Sequence, residues 1–122
     1  MAQAKIASRL DGVGSGMKLT EVRRLMTTSV GVIREASGLR QAIRLLARQV
    51  AAAPGQSSDP ALVALLIATA SLHRRESRGA HYRSDYPASG VARHAEMTLA
   101  SALAAASELQ GEDVTNSLRH VA

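Results

Sequence analysis

Cysteine is absent from this 122-residue sequence, and aromatic residues are nearly absent. Without a thiol there can be no disulfide scaffold, no thiolate metal site and no cysteine nucleophile. Phenylalanine and tryptophan are missing as well, and two tyrosines, Tyr82 and Tyr86, are too few to build the platforms on which single-stranded nucleic acids stack. Because a chain without cysteine suits a reducing compartment, we expect a cytoplasmic protein.

The sequence also lacks a long apolar segment. The longest apolar stretch, residues 61–72, is about half the length that a transmembrane helix requires. The residues before Asp11 contain no apolar core of a secretory signal. We therefore expect no membrane partner.

Negative charge is the scarcer sign: ten acidic residues stand against fifteen basic ones, two of which are lysines (Lys5 and Lys18), for a net charge of +5. Arg40, Arg44 and Arg48 are spaced four residues apart and would form a row along one helix. A solvated helix face is the favoured interpretation of such a row. A stand-alone basic module that binds nucleic acid or an acidic protein is the alternative, although nucleic acid is not the favoured partner.

Apolar residues recur every three to four positions through most of the chain after residue 19. This spacing predicts an all-α fold, an up-and-down three-helix bundle with a short extra N-terminal helix. Residues 1–18 are expected to be a flexible arm or linker, residues 19–111 the helical bundle domain and residues 112–122 a C-terminal tail.

Capping residues predict where the four helices begin and end. Thr20 is expected to cap the short first helix, the second should begin at Leu39, and Asp59-Pro60 should start the third after a loop at 54–58. The third helix is expected to run towards Arg78, and its first three turns are apolar on all sides, so we expect the other helices to cover it. The last helix is expected from about Ser89 to Leu109, with Gly111 as its stop. Its predicted buried stripe is Val91, Ala95, Leu99, Ala102, Leu103, Ala106 and Leu109.

Signatures of catalysis are weak. The four histidines lack the i, i+4 spacing of a zinc site, and no nucleophile elbow is present. The glycines of residues 12–16 resemble a dinucleotide fingerprint, but Met17 stands where the third glycine belongs. We assign no catalytic, cofactor-binding or metal-binding residue to this chain.

The densest polar stretch is residues 74–87, which holds four arginines, two acids and a histidine. Arg75 and Arg78 are expected on one helical face, Glu76 and Asp85 can pair with arginines, and Gly79 can end a helix in the left-handed conformation. One interpretation is that ion pairs within the stretch order a loop. The other is that the stretch forms a surface that binds an anionic ligand or another domain.

This stretch resembles the signature of the succinate dehydrogenase and fumarate reductase flavoprotein superfamily. The matching positions are Arg75, Glu76, Ser77, Arg78, Gly79, Ala80, His81, Arg83, Asp85 and Pro87. A second block, residues 25–34 followed by Gly38-Leu39, resembles the start of the C-terminal helical domain of L-aspartate oxidases. The chain departs from that family at residues 93–99, where an Arg-Arg-Thr-Phe-Leu type of helix entry is usual.

The resemblance implies a parent enzyme that uses FAD to oxidise L-aspartate to iminosuccinate in NAD biosynthesis. This chain would be its C-terminal domain, which packs on the flavin-binding domain, binds no FAD and is inactive alone. The resemblance places a domain-interface motif at Arg75, Glu76, Ser77, Arg78, Gly79, His81, Arg83, Asp85 and Pro87.

Two alternatives remain open for the parent and the motif. Arg78, His81 or Arg83 could instead bind a substrate carboxylate. A succinate dehydrogenase or fumarate reductase parent is disfavoured because the chain lacks the tryptophan-containing tail of those enzymes. The sequence leaves self-association open.

Overall fold

The computed structural model describes residues 17–52 and 59–121, and it confirms the all-α class. Four helices span Leu19–Ser29 (α1), Ala36–Ala52 (α2), Asp59–His73 (α3) and Leu99–Val121 (α4). The strands Ile33–Arg34 (β1) and Tyr82–Arg83 (β2) pair in parallel, with Ile33 opposite Tyr82. In the described part of the chain, no helix is long and apolar enough to cross a membrane.

The core lies where α2 and α3 pack against each other, with α1 and α4 on their flanks. Burial of each large aliphatic side chain contributes roughly 1.5–3 kcal/mol to folding, and alanines on α3 and α4 let the helices approach closely. The fully buried members on α2 and α3 are Leu39, Ala42, Ile43, Leu46, Leu65 and Ala68.

The predicted start of α1 is wrong by two residues, because Lys18 and not Thr20 occupies the N-cap position. The Glu21 carboxylate accepts a hydrogen bond from the backbone N–H of Lys18 at 3.1 Å. The N–H of Met17 donates to Oε1 of Gln49 on α2 at 2.6 Å, so Met17 and Lys18 belong to the fold rather than to an arm. Residues 1–16, with their glycine-rich stretch, and the loop at 54–58 lie outside the described residues.

The structure corrects the start of α2 and the end of α3. Helix α2 begins at Ala36, three residues before the predicted Leu39, where the Asp85 carboxylate accepts the Ala36 N–H at 3.2 Å. Helix α3 ends at His73 and does not reach Arg78, so Arg75 and Arg78 share no helical face.

Helix α3 also differs from its prediction in how it is covered. Val63 and Ile67 are 56% and 45% exposed, so the helix has an open apolar face. The expectation that the other helices cover it on all sides is therefore wrong.

Helix α4 departs furthest from its prediction. It begins at Leu99 rather than near Ser89, because the Thr98 hydroxyl accepts the backbone N–H of Ser101 at 3.1 Å and caps the first turn there. Gly111 does not stop it, and residues 112–121 continue the helix.

The predicted buried stripe of α4 is only partly correct. Ala102, Ala106 and Leu109 are buried. Leu99 and Leu103 are 44% and 40% exposed, while Val91 and Ala95 precede the helix and are exposed.

Candidate functional site at the arginine-rich corner

Residues 74–90, which we call the corner, follow α3, contain β2 and contact the start of α2. Arg78 and His81 exchange two backbone hydrogen bonds of 2.8 and 3.0 Å around a tight turn at Gly79-Ala80. Gly79 has φ of +57°, which confirms the predicted left-handed conformation, although it serves this turn and not a helix end. The turn directs His81 and Arg83 back towards α3.

Arg83 is buried at the centre of the corner, with only 1% of the residue exposed. Its Nη1 donates to the carbonyl oxygens of Ser71 at 3.0 Å and Leu72 at 2.9 Å, at the end of α3. A cation here satisfies carbonyl groups that have no partner within the helix and favours the negative end of its dipole. Arg83 is therefore the C-terminal cap of α3, supplied from a distant part of the chain.

Asp85 completes the cap and connects it to the next helix. The two Asp85 oxygens accept Nε and Nη2 of Arg83 at 2.8 and 2.6 Å, a bidentate pairing. The hydrogen bonds from Arg83 are the main cause that lowers the pKa of Asp85 to about 2. Because the same carboxylate accepts the Ala36 N–H, one ion pair joins the end of α3 to the start of α2.

Ser77 holds the inner loop of the corner in place. Its hydroxyl accepts the backbone N–H of Arg83 at 2.9 Å and donates to the Tyr86 carbonyl at 2.9 Å. The Ser89 hydroxyl donates to the Ser77 carbonyl at 2.6 Å. The Tyr86 ring lies 5.1 Å from the Arg83 guanidinium carbon, which favours a cation–π contact.

His81 is buried between two groups that fix its tautomer. Its Nε2 lies 2.9 Å from the Arg74 carbonyl oxygen, which can only accept, so Nε2 carries the hydrogen. Its Nδ1 therefore accepts from Nη1 of Arg34 at 2.9 Å. Desolvation is the main cause that lowers the pKa of His81, and the positive charge of Arg34 adds to it. The neutral imidazole is thus the form that fits this site.

Arg34 lies outside residues 74–90 but contacts the corner from β1, a role that was not predicted from the sequence. In addition to His81, it donates to the Ser71 hydroxyl at 3.1 Å and to the Gly31 carbonyl at 3.0 Å. Two signals were available: Arg34 directly follows two apolar residues, Val32 and Ile33, and it ends the block at residues 25–34 that resembles the L-aspartate oxidases. Nothing local in the sequence links it to residue 81.

The outer part of the corner carries the other charges. Glu76 accepts from Arg74 at 3.0 Å and from Arg78 at 3.4 Å, which confirms the predicted pairing of the acids with arginines. The hydrogen bond from Arg74 is the main cause that lowers the pKa of Glu76. Arg78 also donates to the Gly90 carbonyl.

The motif predicted for a domain interface divides into two groups. Ser77, His81 and Arg83 are buried, and their polar groups are used within the domain. The half-buried or exposed members are Arg75, Glu76, Arg78, Gly79, Asp85 and Pro87. Three residues were suggested for binding a substrate carboxylate. Arg83 and His81 are buried, while Arg78 keeps 38% of its side chain exposed.

Other candidate sites are sparse. No group of three histidine, cysteine, aspartate or glutamate residues with metal-binding geometry occurs in ranges 17–52 and 59–121. In the arginine row of α2, Arg40 and Arg48 are exposed but Arg44 is half-buried, so the row is not a uniform solvated face.

The sequence of this chain is similar to those of several L-aspartate oxidases. The L-aspartate oxidase of Agrobacterium fabrum is 48% identical over 68 residues, which cover 56% of this chain and 13% of that protein. The corresponding enzyme of Rhodospirillum rubrum is 43% identical over 79 residues, with 61% and 27% covered. That of Saccharolobus solfataricus is 34% identical over 82 residues, with 67% and 16% covered.

The chain thus spans only 13 to 27% of the length of these relatives. No solved structure matches it significantly. Residues 49–121, more than half of the chain, match the family described as the fumarate reductase flavoprotein C-terminal domain. The chain belongs to that family, as the motif at residues 75–87 had indicated.

Proposed function

We propose that this chain is the C-terminal helical domain of an FAD-dependent L-aspartate oxidase of the cytoplasm. The observation that carries the proposal is the 48% identity with the L-aspartate oxidase of A. fabrum over 68 residues. The parent would remove two electrons and two protons from L-aspartate, which reduces FAD and leaves iminosuccinate. The chain itself takes no part in that chemistry.

The described residues do not fit a flavin dinucleotide. A pyrophosphate is commonly held where a glycine-rich loop enters a helix. The glycine-rich residues 12–16 precede α1, but Met17 stands where the third glycine of such a loop belongs. The most buried guanidinium of the described residues, that of Arg83, is used by carbonyls and Asp85. We therefore assign the flavin to the rest of the parent.

The arginine-rich corner gives the domain a rigid outer surface for docking on the flavin-binding domain. The buried Arg83–Asp85 pair fixes the loop, while Arg75, Arg78 and Tyr82 keep exposed side-chain surface. Guanidinium groups on a fixed loop can pair with carboxylates across a contact between domains.

An Arg78→Ala substitution in the parent tests this docking role. We expect a lower melting temperature and weaker association of the domains, with turnover per bound flavin retained. Loss of turnover with unchanged flavin content and melting temperature would instead place Arg78 in the substrate site.

The identity of the parent is tested on the native polypeptide that contains residues 75–87. Its mass should be several times the 12.8 kDa of this chain. It should also produce peroxide with L-aspartate and not with succinate. A native mass of 12.8 kDa would contradict the proposal, and turnover of succinate alone would move the parent to the succinate or fumarate enzymes.

A further inference from the structure

A groove of about 530 Å³ lies beside the corner, between the second half of α3 and residues 93–97, which precede α4. This volume falls within the range of small-molecule sites. Its wall combines an apolar strip with cationic side chains. These are Ile67, Ala70 and Met97 on the apolar side, and Arg34, Arg74 and Arg93 on the cationic side.

Arg34 is held rigidly at this groove. Its guanidinium group is anchored by the Gly31 carbonyl, the Ser71 hydroxyl and Nδ1 of His81. All three partners are neutral acceptors, so the positive charge is oriented but not neutralised. A cation whose rotamer is already fixed loses little conformational entropy when it binds an anion.

The carbonyl groups at the C-terminal end of α3 have partners other than the arginines that line the groove. Arg83 already caps the carbonyls of Ser71 and Leu72, and His81 binds that of Arg74. Three arginines therefore line the groove together with a single carboxylate, Glu96.

Within the described ranges 17–52 and 59–121, two arginines of the groove, Arg34 and Arg93, lack a counter-charge. Glu96 lies 3.4 Å from Nε2 of His94, and Glu76 pairs with Arg74. Among the described residues, Arg93 has no acidic partner within 4.0 Å, the limit of an ion pair. A concave surface with an excess of one sign of charge concentrates ligands of the opposite sign.

We propose that this groove binds an aliphatic carboxylate, with the anionic group between Arg34 and Arg93 and the carbon chain along Ile67 and Met97. The apolar strip favours an organic carboxylate over inorganic phosphate, which cannot use it. The carboxylate can belong to a free aliphatic diacid or to an acidic side chain elsewhere in a longer parent. The proposal does not depend on the reaction that the parent catalyses.

The test is a titration of this 122-residue chain with glutarate at constant ionic strength, followed by the NMR shifts of its backbone amides. Glutarate should cause saturable shifts at residues 67–74 and 93–97. Inorganic phosphate should bind more weakly, and chloride should cause no saturable shift. Shifts with glutarate no larger than those with chloride would overturn the proposal.

Substitutions identify the groups that bind. Arg93→Gln, in an exposed segment outside the helices, should weaken glutarate binding at least tenfold without affecting folding. Arg34→Lys should weaken it as well, in a variant whose thermal melting verifies that it is folded. Arg48→Gln removes an equal charge from an exposed position on α2 and should leave the affinity unchanged. Equal losses in Arg93→Gln and Arg48→Gln would show net-charge attraction only and contradict the assigned groove.

A second titration, of the parent by calorimetry, distinguishes the two sources of the carboxylate. Binding that persists in the parent and is weakened there by Arg93→Gln identifies a free diacid as the ligand of the groove. Binding that is present in this chain but lost in the parent identifies an acidic side chain of the parent as the occupant.

Discussion

Arg83 is a cation in a place where a cation normally costs free energy, because burial removes it from water. Its position is tolerated because each side of the guanidinium meets an oxygen: Ser71 and Leu72 carbonyls on one side and the Asp85 carboxylate on the other. The group thus replaces its hydration shell with partners from α3 and from the loop that carries Asp85. Such a pair stabilises the corner only while both partners are present.

Removal of that cation by Arg83→Met is expected to lower the free energy of unfolding by about 3 kcal/mol, the lower end of the usual range for a broken buried pair. The lower end applies because Asp85 is 30% exposed and can be rehydrated. Urea unfolding measures the change. Arg48→Met, at an exposed position on α2, is the matched control, with a change within about 0.5 kcal/mol. Equal effects of the two substitutions would show that the cap is not stabilising.

The pKa of Asp85 leads to a pH dependence of defined sign. Its pKa is about 2 in the folded chain, compared with 3.8 for an unperturbed aspartate, so folding favours the ionised form. The contribution is present above about pH 4 and is lost as the pH falls towards 2. The urea midpoint of the unchanged chain should therefore fall more steeply over this window than that of Asp85→Asn. Parallel curves for the two chains would contradict the assignment.

At this scale, the residue types of the corner could be predicted but their partners could not. The density of charge between residues 74 and 87 marked the region, and the acids do pair with arginines. However, the contacts between Arg34 and residues 71 and 81 span 37 and 47 positions. No periodicity or local spacing carries information over such separations.

The ends of the secondary-structure elements show a similar limit. The apolar spacing identified four helices because it depends on residues three and four positions apart. The start of α2 and the end of α3, however, depend on Asp85 and Arg83, which come from outside both helices. Helix α4 was misplaced because residues that favour helix, such as Ala95 and Met97, also precede its true start, and the Thr98 hydroxyl sets the first turn.

Two glycines beside the α1–α2 connection should respond in opposite ways to alanine. A Cβ atom at Gly31 would clash with the Thr27 carbonyl oxygen, so the backbone would have to shift. We expect Gly31→Ala to lower the free energy of unfolding by about 1–3 kcal/mol. A Cβ at Gly38, in α2, would meet nothing closer than 3.6 Å, so Gly38→Ala should raise it by about 0.5 kcal/mol. Chemical denaturation of both variants checks the pair, and a gain at Gly31 would contradict the close approach.

For the whole molecule, the uncovered face of α3 is the most informative departure from expectation. An apolar helix predicts burial on every side, and in this chain the other helices cover only part of it. The relatives, which are several times longer than their match to this chain, provide a reason, since a further domain can cover the remaining face. If the chain is part of such a parent, as proposed above, the apolar pattern of α3 reflects the folded parent rather than this bundle alone.

This interpretation predicts different effects of Val63→Asp in the two contexts. In this chain Val63 is 56% exposed, so the substitution should change the free energy of unfolding by no more than about 0.5 kcal/mol. In the parent it would bury a charge against another domain, and the melting temperature should fall by several degrees. Leu118→Asp, at a position 67% exposed on α4, is the control and should be neutral in both. Calorimetry of the four variant proteins decides the matter, because a neutral Val63→Asp in the parent would mean that this face of α3 stays open to solvent there.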